Sequence, residues 1–365
     1  MPLTRPILYL AITNHGFGHA TRAASIGAAI QRLNPDILLI LVTTAPRWLL
    51  DAYIPGDFIH RPRMLDVGVI QTDSLKMDKR ATLEKLQHLQ QRAKTIIAGE
   101  VSFIEQNRVG LVLGDIPPLA APIARAAGIP GWMSSNFGWD FIYRSWGEDF
   151  HPIADWMAEC FNQCDRLFRL PFHEPMSAFP VMEEVGLTGG TPRHTPEQLH
   201  QLFASWGYHR WVPKEKTVLI TFGGLSLQQI PYTNLLAFPD WQFISFDTNA
   251  PDLPNLIKLS GHAIRPVDVM PICGRLISKP GYGTFAEACR NQLPVITLTR
   301  EDFAESQFLL EGIQQYGFHQ ILSPADFFNS HWDFLRQPLC HPQSTTQLPD
   351  HGEFTIAEAV VNFFA

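Results

Sequence analysis

The sequence predicts an α/β protein of two doubly wound, Rossmann-like domains in tandem, facing each other across a cleft. Three observations predict it. Short apolar runs alternate with longer amphipathic ones along the whole chain, the βαβα rhythm of parallel sheets covered by helices. The series restarts at Lys216, where a second strand–glycine turn opens. And 365 residues are more than one core usually organises, at roughly 100–200 residues per domain.

Taken in order, residues 6–12 read as a buried strand and 19–33 as an Ala-rich helix with Ile26, Ile30 and Leu33 at helical spacing. Residues 37–44 form a second strand whose near-continuous apolar run needs cover on both faces. Residues 78–107 predict one or two helices, 111–114 a strand ending at Asp115, 117–127 a helix and 131–134 a strand. The stretch 171–213, rich in Pro, Gly, Thr and His, reads as the connection between domains 1–170 and 214–340. The second domain supplies strands at 216–221, 242–246, 256–259, 275–278 and 295–298, with helices between them. A polar tail and a closing helix at 355–364 fill 341–365.

Composition narrows the class. Charged residues make up 17% and apolar ones 45%, which excludes a disordered chain. The balance of 28 basic against 35 acidic residues argues against a nucleic-acid partner. No apolar run approaches the ~20 residues of a membrane helix, and membrane contact is peripheral at most. The opening stretch lacks a charged leader and reads as a strand, not a signal peptide. Five scattered cysteines (160, 164, 273, 289, 340) fit a reducing compartment and a cytoplasmic enzyme. Cys160 and Cys164 stand one helical turn apart without further ligands, so buried thiols are expected there and not a metal site.

Three glycine clusters carry the chemistry. The first runs Asn14, His15, Gly16, Phe17, Gly18, His19, Ala20, Thr21, Arg22 between a strand and a helix. It is not a dinucleotide fingerprint: Thr21 stands where a third small residue belongs, and the second strand ends in Thr43 and Thr44 where an acid should grip a ribose. Two histidines and Arg22 at such a switch point indicate a site; a histidine in this position reads about as often as a cap or packing residue. The second cluster is Ser278, Lys279, Pro280, Gly281, Tyr282, Gly283, Thr284, Phe285, Ala286, Glu287. Its glycines expose backbone N–H groups at a helix N-terminus, an anion site, with Glu287 one turn into the helix. The third, Thr221, Phe222, Gly223, Gly224, closes the first strand of the second domain.

With these residues the chain resembles GT-B glycosyltransferases of the MurG-like and UDP-glycosyltransferase type, and it is similar to the glycosyltransferase-like N-terminal half of plant L-arabinokinases. The likeness rests on 15–22, 136–144, 221–224 and 279–287. It implies two facing domains, a UDP-linked sugar as donor substrate, no cofactor or metal, and an acceptor that is a small molecule, glycan or lipid-linked sugar. It assigns the donor to Gly223, Gly224, Lys279, Gly281, Tyr282, Gly283, Thr284 and Glu287, with Asp302 and Gln307 on its sugar. His19 becomes a general base oriented by Asp115, with His15 as the alternative base. Local sequence alone reads Asp115 and Asp302 equally well as helix caps.

The acceptor side is expected to gather His15, Gly16, Phe17, Gly18, Arg22, Asn136, Trp139, Asp140 and Arg144, within an aromatic stretch that also holds Trp132, Phe141, Tyr143 and Trp146. No D-x-D pair occurs, nor in the second domain an E-x7-E pair, so inversion without a metal is expected. The alternatives are a nucleotide-sugar epimerase or hydrolase, or a non-catalytic nucleotide-sugar binder.

Overall fold

Seven parallel strands make the first sheet of the computed structural model, which describes residues 5–71, 77–223, 230–259 and 263–365. They are β1 (Ile7–Ile12), β2 (Leu38–Val42), β3 (Phe58–Arg61), β4 (Leu111–Asp115), β5 (Gly131–Ser135), β6 (Arg166–Arg169) and β7 (Met182–Glu184), in the order β3-β2-β1-β4-β5-β6-β7. A second parallel sheet holds β8 (Thr217–Ile220), β9 (Gln242–Ser245), β10 (Leu256–Lys258), β11 (Arg275–Ser278), β12 (Val295–Leu298) and β13 (His319–Leu322), in the order β10-β9-β8-β11-β12-β13. Each order reverses once, between β1 and β4 and between β8 and β11. Loops diverge at such points and leave a crevice for a ligand.

Helices cover both sheets: α1 (Gly16–Leu33), α2 (Arg47–Asp51), α3 (Lys79–Asn107), α4 (Ala120–Ala126), α5 (Trp139–Arg144), α6 (His151–Phe161), α7 (Pro196–Ser205), α8 (Pro266–Val269), α9 (Tyr282–Arg290), α10 (Glu305–Tyr316), α11 (Pro324–Asn329) and α12 (Gly352–Phe364). Local chemistry sets several ends. Asp78 caps α3 by accepting from Ala81 N–H, and Thr195 with Gln198 forms a reciprocal capping box on α7. Ala20, Ala23 and Ala24 are fully buried, which lets α1 lie close on its sheet.

Three expectations need correction. The first domain extends past residue 170: β7 adds a seventh strand inside the expected connection, which also contains α7. Residues 355–364 belong to α12, which packs back on α1 of the first domain, with Arg290 of α9 bridging to Glu353 at 2.8 Å. And α1 begins at Gly16, three residues before the expected start, because Gly16 turns the chain at φ +64°. His19 and Arg22 therefore stand one turn apart on the same helix face.

Candidate active site in the interdomain cleft

The site is built outward from the switch point of the first sheet. Register pairs Ile12 of β1 with Asp115, the last residue of β4, and the chain leaving β1 stays beside it, Thr13 N–H donating to the Asp115 carbonyl at 3.1 Å. Asn14 anchors the exit. Its Oδ1 accepts from Thr44 N–H at 2.7 Å, and its own N–H and Nδ2 donate to Asp66 Oδ1 at 2.9 and 3.1 Å. The non-acidic end of β2 is thus used to hold the histidine loop.

His19 places Nδ1 2.8 Å from Asp115 Oδ1, and both residues are buried. Arg22 Nη2 also lies 3.1 Å from Nδ1, but its two hydrogens have Asp115 Oδ1 and Ser135 Oγ as acceptors; a carboxylate accepts only, so the proton is assigned to Nδ1 and the lone pair to Nε2. Arg22, 2% exposed, clamps the same carboxylate through Nε to Oδ2 at 2.6 Å and Nη2 to Oδ1 at 2.7 Å. Burial would raise the Asp115 carboxyl, but Arg22 and His19 outweigh it and hold the group ionised below the ordinary carboxylate range. Arg22 Nη1 also donates to Asn136 Oδ1 at 2.8 Å, and Asn136 Nδ2 donates to Glu305 Oε1 of the second domain at 2.8 Å. One buried chain of polar groups thus runs from the His19 ring across the cleft to α10.

His15 is held differently. Its Nδ1 accepts from Val69 N–H at 3.2 Å, so in the neutral ring Nε2 carries the proton and donates. Burial, then the charges of His19, Arg300 and Lys279, lowers its pKa well below the usual histidine value. The ring stacks on Phe303 at 5.8 Å and meets the edge of Trp139 at 5.3 Å. The lone pair of His15 is thus engaged by Val69 N–H, whereas the Asp115 contact of His19 is made by the ring nitrogen that bears the proton.

Across the cleft, Gly281 is the N-cap of α9, and a Cβ added at Gly283 would lie 3.7 Å from the Gly18 carbonyl oxygen. The N-termini of α1 and α9 therefore face one cavity, each presenting unpaired N–H groups. Gly223, at φ +78°, lies beside the Lys279 stem; Gly224 lies outside the described residues. An inner cavity of about 120 Å³ is lined by His15, Gly16, Phe17, Gly18, His19, Arg22, Gly223, Lys279, Gly281, Tyr282, Gly283, Thr284 and Glu305, with Gln71, Arg300 and Phe303. It opens beside a larger cavity of about 420 Å³ bounded by Trp48, Tyr53, Phe246, Arg265, Thr284 and Glu287. Burial raises Glu287 to about 7, and its Oε1 accepts from Gly190 N–H at 2.9 Å.

Five expected residues lie elsewhere. Asp302 pairs with Lys79 at 2.7 Å on the surface, and Gln307 donates to Glu311 one turn along the exposed side of α10. Glu305, missed among three acids in one short stretch, is the carboxylate that α10 turns inward. Arg144 is exposed and binds Asp155 at 2.6 Å. Asp140 sits beside Gly138 at the start of α5, away from the cavity lining. Trp139 is fully buried behind the histidines, its Nε1 donating to Thr13 at 3.1 Å. Of the other aromatics, Trp132 packs on Phe168 and Phe363, whereas Phe141 and Trp146 reach across to Phe308 and to the Asp302 carbonyl as contacts between the domains. Gln71, Arg300 and Phe303 were not identified from sequence and carry no motif that would have marked them. Among the described residues no group of His, Cys, Asp and Glu could hold a metal ion, and no helix is long and apolar enough to cross a membrane.

No family model matches the chain. It is 30% identical over 331 residues to L-arabinokinase of Arabidopsis thaliana, covering 88% of this chain but only 31% of that protein. Among solved structures it is similar to the glycotransferase of kitacinnamycin (TM-score 0.61, 14% identity, 100% of both chains). It is also similar to Medicago truncatula UGT71G1 complexed with UDP-glucose (TM-score 0.61, 12% identity, 99% of both chains). Os79 from O. sativa in complex with UDP gives a TM-score of 0.62 at 14% identity, over 98% of this chain and 100% of that one. The fold is GT-B.

Proposed function

We propose that the protein transfers a sugar from a nucleoside diphosphate donor, UDP-linked, to an acceptor hydroxyl, with inversion and without a metal. The observation that carries the proposal is the His19–Asp115 pair at 2.8 Å, with His19 lining a cavity shared with the N-terminus of α9. In this reading His19 Nε2 takes the acceptor proton as the hydroxyl oxygen attacks the sugar carbon and the diphosphate departs. Asp115 fixes the tautomer and stabilises the imidazolium; such a base typically contributes 10²–10⁴-fold. The leaving diphosphate would be met by the backbone of Gly281 and Gly283, Thr284 and Lys279. Glu287 and Tyr53 in the larger cavity would receive the nucleoside, and Glu305 the sugar hydroxyls. UDP and UDP-glucose in structures of like fold support this assignment. The five unpaired cysteines support a cytoplasmic location.

The test is UDP binding and sugar transfer side by side in His19→Ala. The proposal expects UDP affinity within about twofold of wild type and turnover reduced at least about 100-fold. Turnover that survives would remove His19 from the chemistry. Binding of UDP-sugars with no transfer or hydrolysis in the wild type would point instead to a nucleotide-sugar-binding regulatory protein.

A further inference from the structure

The buried chain from His19 to α10 has one member that neither titrates nor carries charge. This is Asn136, and its two side-chain bonds run in opposite senses. Its Oδ1 accepts from Arg22 Nη1 and its Nδ2 donates to Glu305 Oε1, both at 2.8 Å. An arginine only donates and a carboxylate only accepts, so these neighbours fix which way the amide faces. The residue is fully buried, and the backbone around it is held by other bonds. The Asn136 carbonyl accepts from Glu174 N–H at 3.0 Å, and Ser135 Oγ donates to the Phe137 carbonyl at 2.8 Å. The amide is therefore not what keeps the end of β5 in place. Instead it sets the relative position of two charged groups from different domains. With the amide as spacer, Arg22 keeps both oxygens of Asp115 while Glu305 stands at the wall of the inner cavity. A carboxylate offers about four acceptor sites, so Glu305 can hold Asn136 and a sugar hydroxyl together. The Arg22 guanidinium also lies 5.2 Å from the centre of the Tyr282 ring of α9, a second contact with the second domain.

We propose that Asn136 is a positioning residue that joins sugar recognition in the second domain to alignment of the base in the first. It aims Glu305 at the donor sugar and, through Arg22, seats the Asp115 carboxylate against His19. This rests on the donor and dyad reading above and adds how the two halves of the site are kept in register.

The test compares wild type, Asn136→Ala, Glu305→Ala, their double variant and Asn136→Asp in the full chain. Each is titrated with UDP and assayed for UDP release from UDP-glucose with water as acceptor, and melting curves confirm that it is folded. Asn136→Ala should keep UDP affinity within about twofold and lose at least about tenfold in kcat, the scale of one hydrogen bond to a charged group. The loss in the double variant should fall short of the product of the single losses, because the two residues act as a unit. Asn136→Asp has nearly the same shape, but once ionised it sets two carboxylates against each other between Arg22 and the cavity. A proton shared between them restores the bond to Glu305. Its activity relative to wild type should therefore rise at least about threefold from pH 8 to pH 6, whereas a packing defect alone leaves that ratio flat. Wild-type kcat in Asn136→Ala overturns the proposal, as do fully multiplicative losses in the double variant. So does a deficit in Asn136→Asp that equals that of Asn136→Ala at every pH. If UDP does not bind the wild type, it is the donor reading that fails; UDP binding together with any of those three results fails this proposal alone.

Discussion

Replacing Asp115 by Asn tests the centre of the site, because that carboxylate has two roles that can be separated. It accepts the His19 Nδ1 proton at 2.8 Å and neutralises the buried Arg22 through contacts of 2.6 and 2.7 Å. An amide can turn its NH₂ toward Nδ1, which moves the ring proton to Nε2 and removes the lone pair facing the cavity. Turnover should fall by about 10²–10⁴-fold with UDP affinity little changed. Stability should fall as well: breaking a buried pair leaves an uncompensated charge, at a cost of about 3–5 kcal/mol. That is a large share of the roughly 5–15 kcal/mol that holds a domain folded, and corresponds to a melting temperature lower by about 6–20 °C. Calorimetry and steady-state transfer read the two effects independently. The double variant Asp115→Asn with Arg22→Met removes both charges; it should regain most of the stability and none of the activity. An Asp115→Asn enzyme within threefold of wild-type turnover would refute the dyad. A melting temperature that does not move would refute the weight placed on the Arg22 pair.

Further outcomes follow from other parts of the site. Asp302→Ala should leave UDP-sugar affinity within about twofold and stability within about 1 kcal/mol, because its partner Lys79 is a surface cation; Glu305→Ala should weaken sugar-dependent binding, and the reverse ranking by titration would restore Asp302 to the sugar. Burial places the Glu287 carboxyl at about 7, above its value in the unfolded chain, so the folded state holds the proton longer. Its contribution is present at acid pH and lost as pH rises from about 4.5 through 7. The melting temperature of Glu287→Gln relative to wild type should accordingly climb between pH 5 and 8, and a difference that stays flat across that window removes the buried charge as the cause. At Gly68, φ is +60° and an added Cβ would come within 2.6 Å of His15 Cβ. Gly68→Ala should therefore cost about 1–3 kcal/mol and shift the His15 ring, visible as a changed histidine resonance in proton spectra; an unchanged resonance would mean that the loop yields elsewhere.

Much of the architecture was legible in the chain itself. Apolar runs such as 37–44 are unambiguous because a strand covered on both faces has no polar side to disguise it. The strands that were missed, β3, β6, β7 and β13, are short and carry charged or polar residues at one or both ends, FIHR and RLFR among them. Both glycine loops were also legible, since a turn that brings backbone N–H groups to a ligand is open to few other residues. The stretch 299–307 was not: it holds three acids, and only the path of the backbone into α10 decides that Glu305 turns in while Asp302 pairs outward with Lys79.

By itself, then, the sequence determined the α/β class, the restart at the second domain and the two loops that converge. The resemblance paired His19 with Asp115, 96 positions apart, and left His15 as a rival, while local sequence read Asp115 equally well as a helix cap. Only the tertiary structure distinguishes the two rings, because the position of a histidine proton depends on what its other nitrogen touches. Val69 N–H meets one ring and the Asp115 carboxylate the other, and neither contact is written in the spacing of residues along the chain.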